Sequence, residues 1–127
     1  MDAKRWMLSA ATWLLLAWPA AAQMPGSLPP CPGTSGGFTM RCACWGPGNG
    51  PVWGTGIYAI ESSICAAARH AGVIGETGGA VRVSPMAGLA NYRGSHRNGI
   101  TSMDKGASQR SFRVERGAET WGAPPRG

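Results

Sequence analysis

The side chains of this sequence that could do chemistry fall into three groups: four cysteines, two histidines among serines, and a basic set dominated by arginine. Cys31, Cys42, Cys44 and Cys65 are an even set, which behind an export signal predicts two disulfides. A four-thiolate zinc site is the competing reading. It is disfavoured because Cys42-Ala43-Cys44 is not a usual zinc spacing, and no C-x-x-C redox pair occurs. A bond between Cys42 and Cys44 themselves is disfavoured on geometric grounds.

His70 closes an apolar helical stretch and reads as a structural histidine hydrogen-bonded to a turn, in a last-turn position that the helix dipole favours. His96, between Ser95 and Arg97, reads as a solvated loop residue that with Asn98 could line a polar pocket. Ser95 and His96 do not make a convincing nucleophile and base, because adjacent residues rarely converge on one substrate atom. The acids Glu61, Glu76, Asp104, Glu115 and Glu119 are scattered, and Glu61 is explained by the dipole of the helix that follows. No nucleophile elbow, phosphate loop, dinucleotide fingerprint or His-rich metal motif is present. The expectation is a non-enzyme with no catalytic residues, no cofactor and no metal.

The basic residues are more suggestive. Arg93, Arg97, Lys105 and Arg110 fall in two neighbouring loops, with Tyr92, His96 and Asn98 among them. Such a mixture can hold phosphates or sugar hydroxyls, with guanidinium groups making forked contacts. Tyr92, Arg93, His96, Arg97, Asn98, Lys105 and Arg110 are therefore the candidate ligand-binding set. The competing reading is an ordinary Arg-rich surface. The whole chain carries a formal charge of +6. Losing Lys4, Arg5 and Asp2 with the leader described next leaves about +5. A basic exported domain attracts anionic lipids, acidic glycans and nucleic acid. Nucleic acid is the weakest of these, given export and the missing motifs.

The elements that position these groups begin with a leader. Lys4 and Arg5 are followed by an uncharged apolar run from Trp6 to Trp18, then Pro19 and Ala20-Ala21-Ala22. This reads as a signal peptide, residues 1–22, cut before Gln23. The run is short for a spanning helix, which needs roughly 20 apolar residues, and no later run approaches that length. The expectation is a chain without a transmembrane span after cleavage, exported to a periplasm or the extracellular space. No cysteine follows the cut, which argues against lipoprotein attachment.

Residues 23–37 are rich in Pro, Gly and Ser and read as an extended lead-in without a ladder of its own. Phe38–Cys44 alternates as a strand, with Cys42 and Cys44 on one side. Val52–Tyr58 is a weaker strand, in which Gly54 and Gly56 mark a bulge or a close backbone approach. A helix follows, with Ser62 as N-cap and Gly72 just past its end. Ile64, Ala67, Ala68 and Ala71 make its apolar stripe, and so slender a helix suits a place beneath a sheet. Ala80–Val83, Gly99–Ser102 and Ser111–Val114 read as strands, and Asn98-Gly99 as a tight turn. Residues 38–115 make one domain, with Cys31 tied to it, and 116–127 a flexible tail whose large apolar residue is Trp121.

The ordered set Tyr58-x-x-x-Ser62-x-x-Cys65-x-Ala67-Ala68-x-His70-Ala71-Gly72-Val73-Ile74, Gly78-Gly79-x-Val81-x-Val83, Gly88, Tyr92-x-Gly94-Ser95, Asn98-Gly99-Ile100-x-Ser102 and Ser111-Phe112-x-Val114 resembles the LCCL domain. The resemblance covers most of the mature chain. It implies an α+β fold, a short central helix wrapped by antiparallel or mixed strands and stapled by disulfides, with Tyr58, Ser62, His70 and Gly72 forming the structural helix motif. It also implies the pairing Cys31–Cys42 and Cys44–Cys65. Animal members usually have more than one residue between the middle cysteines, and here only Ala43 intervenes. That departure leaves Cys31–Cys44 with Cys42–Cys65 open. The family's association with lipopolysaccharide and matrix recognition points to a binding module for an anionic lipid, lipopolysaccharide or acidic glycan. The alternative is a structural or protein-interaction domain that docks on an envelope protein through Trp45, Trp53 and Trp121.

Overall fold

The computed structural model describes residues 28–117. The expected leader 1–22, its cleavage site and Trp121 lie outside the described residues. Within them the chain runs β1 (Met40–Trp45), β2 (Gly54–Thr55), β3 (Ile57–Ala59), α1 (Ile64–His70), β4 (Gly78–Ala87), β5 (His96–Arg97), β6 (Ile100–Thr101) and β7 (Arg110–Arg116). Five strands form one antiparallel sheet in the order β1-β4-β7-β3-β2, and β5 and β6 form a separate hairpin. The α+β class and the stapled helix follow as expected.

β4 is the spine of the sheet. It is longer than Ala80–Val83 because it must pair on both edges: Cys42 faces Val81 on one side and Val114 faces Val83 on the other. The two-residue alternation of a strand turns Cys44, Val81, Val83, Phe112 and Val114 inward, where they meet Ile64, Ala66, Ala67 and Ala68 of α1. The helix is enclosed on several sides. Ala66 is fully buried as well as the predicted Ile64, Ala67 and Ala68. Ala71, predicted for the same stripe, is exposed, because the helix stops at His70 and Ala71 is its C-cap. Three consecutive alanines are what permit a helix to be covered this completely by short strands and loops.

The ends of α1 test the capping expectation. Gly72 has φ of +80°, and its N–H donates to Arg69 O at 3.0 Å while Val73 N–H donates to Ala68 O at 2.9 Å. This is the two-bond C-terminal motif for which glycine is suited. The N-cap is corrected by one residue. Ser63, not Ser62, holds the extended cap conformation, and its Oγ accepts from Ala66 N–H at 3.4 Å and donates to Asn49 O at 2.8 Å. Ser62 is fully buried and its Oγ accepts from Trp53 N–H at 2.9 Å, so it ties the helix start to the β2–β3 segment. Glu61 is also corrected: it precedes the helix and engages Ser108 Oγ at 3.1 Å and Lys105 Nζ at 4.0 Å.

Two further expectations change. Val52–Tyr58 is no single strand but enters a tight hairpin, with Gly54 opposite Tyr58 and Thr55 opposite Ile57. A Cβ on Gly54 would lie 2.4 Å from Ile57 O, so the close backbone approach read from its glycines is real. The lead-in does join the sheet region: Cys31 N–H donates to Ala43 O at 2.9 Å and Ala43 N–H to Pro29 O at 2.8 Å. These bonds cover the outer edge of β1, which would otherwise present unpaired donors. At the other end β7 runs through Arg116, and Gly117 N–H donates to Ala80 O at 3.0 Å.

Cys31 pairs with Cys42 and Cys44 with Cys65. The second bond fastens β1 to the second residue of α1. Their sequence separations of 11 and 21 correspond to about 3 kcal/mol each in the loop-entropy account. No described cysteine is free. No described helix is long and apolar enough to cross a membrane.

Candidate functional site

The polar residues between Tyr58 and Lys105 separate into a buried hub and an open cleft. The hub forms where the last turn of α1 meets β3 and the approach to β5. His70 is fully buried, with Nδ1 2.9 Å from Tyr58 Oη and Nε2 3.1 Å from Ser95 O. A carbonyl oxygen only accepts, so Nε2 carries the hydrogen and Tyr58 O–H donates to Nδ1; the tautomer is assigned from these partners. Burial raises the Tyr58 phenol above its ordinary value, outweighing a backbone hydrogen bond at Gly56 and the charge of Arg97, both of which lower it. Asn98 completes the hub from the turn between β5 and β6. It holds φ of +52°, and its Nδ2 donates to His70 O at 2.9 Å, satisfying a carbonyl at the helix end.

Ser95 Oγ, His70 Nε2 and Tyr58 Oη have the outline of a nucleophile relay, with Ser95 Oγ 3.2 Å from Nε2. The protonation pattern gives it another role. With Nε2 protonated toward Ser95 O, the Ser95 hydroxyl turns to Thr55 Oγ1, 2.6 Å away. The arrangement locks β2, β3, α1 and the β5–β6 hairpin together.

The cleft, about 620 Å³, is lined by Asn91, Tyr92, Arg93, Asp104, Lys105 and Gly106. A two-bond bridge builds it: Tyr92 N–H donates to Lys105 O at 2.8 Å and Lys105 N–H to Tyr92 O at 3.0 Å. Arg93 and Lys105, distant in sequence, are thereby set on one opening. Thr55 Oγ1 donates to Arg93 O at 2.9 Å, which fixes the backbone beneath an exposed guanidinium. Asp104 Oδ1 accepts Gly94 N–H at 2.7 Å, so this carboxylate is partly committed. Lys105 Nζ lies 4.0 Å from Glu61 Oε2 and 6.0 Å from the Trp53 ring centroid.

The predicted set of seven is thus divided. Arg93 and Lys105 share the cleft. Tyr92 forms its wall but is only 4% exposed, its hydroxyl accepting Leu89 N–H at 3.0 Å and bonding Ser111 Oγ. His96 and Arg97 are exposed on β5, with His96 Nδ1 2.7 Å from Thr101 Oγ1. Asn98 serves the hub. Arg110, at the start of β7, donates to Gly37 O at 3.3 Å and is not a lining residue of the cleft. Sequence reasoning missed Asn91 and Asp104, which the Tyr92–Lys105 bridge brings in, Ser95 as a partner of His70, and Thr55, which meets the Ser95 hydroxyl. Trp45 and Trp53 are half-buried rather than open; among the described residues the exposed large apolar side chains are Phe38, Leu89 and Met103.

Fold and site together define a small disulfide-stapled α+β module in which a covered helix supports a polar surface cleft. The LCCL domain model matches residues 26–112, and the chain belongs to that family. It is 44% identical over 79 residues to vitrin of Mus musculus, covering 61% of this chain and 12% of that protein. It is 46% identical over 66 residues to clotting factor C of Tachypleus tridentatus, covering 52% of this chain and 6% of the relative. Against cochlin of Mus musculus the identity is 47% over 66 residues, covering 52% and 12%. The chain therefore spans a small fraction of the length of these relatives.

Proposed function

We propose that this protein is an exported, non-enzymatic binding module whose Arg93–Lys105 cleft recognises the acidic head of a glycan, a lipopolysaccharide or an anionic lipid, in a periplasm or outside the cell. The observation that carries the reading is the two-bond Tyr92–Lys105 bridge, which brings Arg93 and Lys105 into the lining of one opening, with Lys105 also meeting Glu61 at 4.0 Å. The lining also bears the Asn91 amide and the Asp104 carboxylate. Two cations, one acid and one amide suit a ligand that carries hydroxyls beside its anionic group, such as a phosphorylated or acidic sugar, better than bare phosphate.

The test is a salt-titrated binding panel of lipopolysaccharide, anionic vesicles, an acidic polysaccharide and a neutral glycan, using the oxidised protein. Saturable binding of one anionic ligand above others of equal charge, lost in Arg93→Ala, supports the cleft. Equal binding of every polyanion with one common salt dependence reduces the charge to a nonspecific field. If nothing in the panel binds, the second reading takes over, docking on an envelope protein. It draws on Phe38, 70% exposed, and predicts weak salt dependence and strong sensitivity to apolar truncation.

A further inference from the structure

The two disulfides do not lie apart. Cys31 Sγ, Cys44 Sγ and Cys65 Sγ are all within 4.8 Å of one another, so the first bond presents one sulfur to both sulfurs of the second. An opening of about 300 Å³ leads to this place, lined by Cys31, Cys44 and Cys65 with Pro30, Trp45 and Asn49 among its walls. Cys31 and Cys65 are half-buried and reachable, whereas Cys42 and Cys44 are 2% and 1% exposed.

From this juxtaposition we infer that the opening is a thiol–disulfide exchange site for a low-molecular-weight thiol, and that the two bonds react as one exchangeable unit. The incoming thiolate attacks Cys31 Sγ, the reachable end of its bond. A mixed disulfide forms at Cys31 and the Cys31–Cys42 bond breaks, its electron pair leaving on Cys42, which takes a proton. A second thiolate attacks the mixed disulfide, giving the small-molecule disulfide and a Cys31 thiolate. Cys31 then attacks Cys65 Sγ; Cys31–Cys65 forms and Cys44 departs as thiolate and is protonated. In sum two small thiols are oxidised to one disulfide, and one protein disulfide becomes the dithiol Cys42 and Cys44.

The backbone permits this more readily at Cys31 than at Cys65. Cys31 sits between Pro30 and Pro32, which lack N–H donors, and its segment is held to β1 by the bonds from Cys31 N–H and to Pro29 O. Cys65 is carried within a capped helix. Cys31 already lies beside the bond it would attack, which gives the internal thiolate a high effective concentration relative to external thiol.

The experiment uses the full chain as it exists. The oxidised protein is exposed to limiting glutathione, quenched with acid, alkylated and mapped by mass spectrometry. The expected two-thiol product has Cys42 and Cys44 alkylated and Cys31 joined to Cys65, forms in native buffer, and drops at least several-fold when the same reduction is run in strong urea. The inference is overturned if the product keeps Cys44–Cys65 with Cys31 and Cys42 alkylated, or keeps Cys31–Cys42 with Cys44 and Cys65 open. It is equally overturned if Cys31–Cys65 forms as readily in urea, since folded geometry would then play no part. None of these outcomes depends on the anionic-ligand reading.

Discussion

The hub around His70 and the cleft around Arg93 are built from the same kinds of residue, yet their side chains are used in opposite ways. In the hub each polar atom meets a partner: His70 contributes both ring nitrogens, Asn98 its amide and Tyr58 its hydroxyl. In the cleft the main chain is fixed while Arg93 projects an exposed guanidinium. A buried polar group without a partner costs on the order of 1–3 kcal/mol, so buried polar residues are spent on structure. Exposed ones remain available to ligands. The comparison predicts that changes in the hub alter stability and that changes in the cleft alter binding.

The largest effect should come from the staple that holds the hub's helix in place. Replacing Cys44 and Cys65 together by alanine removes the bond from β1 to α1 and should lower stability by about 3 kcal/mol. Urea unfolding measures this directly; a loss below about 1 kcal/mol would mean that the covered helix is held by packing alone. His70→Ala comes next. It deletes a fully buried ring and leaves the Tyr58 O–H without its acceptor, while Ser95 O keeps the Ser102 N–H, for an expected loss of about 2–3 kcal/mol. Retention of native stability in that variant would contradict the hub as drawn.

Tyr58→Phe is subtler and adds a pH signature. It leaves His70 Nδ1 without its donor and should cost about 1–2 kcal/mol at neutral pH. Burial holds the folded-state phenol above its ordinary value of 10.0. Above that pH the unfolded chain loses this proton while the folded chain keeps it, so stability is fully present below about pH 10 and falls as pH rises through it. The phenylalanine variant should show a shallower alkaline decline in urea midpoint. Parallel declines in the two proteins would show that Tyr58 is not the group responsible.

How much of this was legible in the chain depends on the reach of the interaction. The C-terminal motif at Gly72, the Asn98-Gly99 turn and the slender alanine helix are local, and spacing alone revealed them. The N-cap was misplaced by one because two adjacent serines offer the same hydroxyl; the choice depends on Trp53 N–H and Asn49 O, contributed by other segments. The arrangement of the candidate ligand set was the least legible. Residues close in sequence, Arg93 and Arg97, read as one patch, while the bridge that joins residue 92 to residue 105 left no mark in either segment. Asn98 read as a ligand group because nothing nearby in sequence shows that its amide serves a carbonyl 28 residues away.

The smallest expected change in stability is also the sharpest test of the comparison. Arg93→Ala removes an exposed side chain whose backbone stays fixed through Thr55, so unfolding should move by no more than about 0.5 kcal/mol. A charge-assisted contact is worth about 1.5–3 kcal/mol, so affinity for the anionic ligand should fall roughly 10- to 100-fold in the same variant. Arg93→Lys keeps the charge and loses the fork. If forked recognition matters, lysine recovers little of the affinity; if only the field matters, it recovers most. The opposite control is Asn98→Ala, which belongs to the hub in spite of its exposed position. It should cost about 1 kcal/mol through the freed His70 carbonyl and leave affinity within twofold. Should Asn98→Ala abolish binding while stability holds, the line drawn between hub and cleft lies in the wrong place, and the β5–β6 turn belongs to the ligand surface.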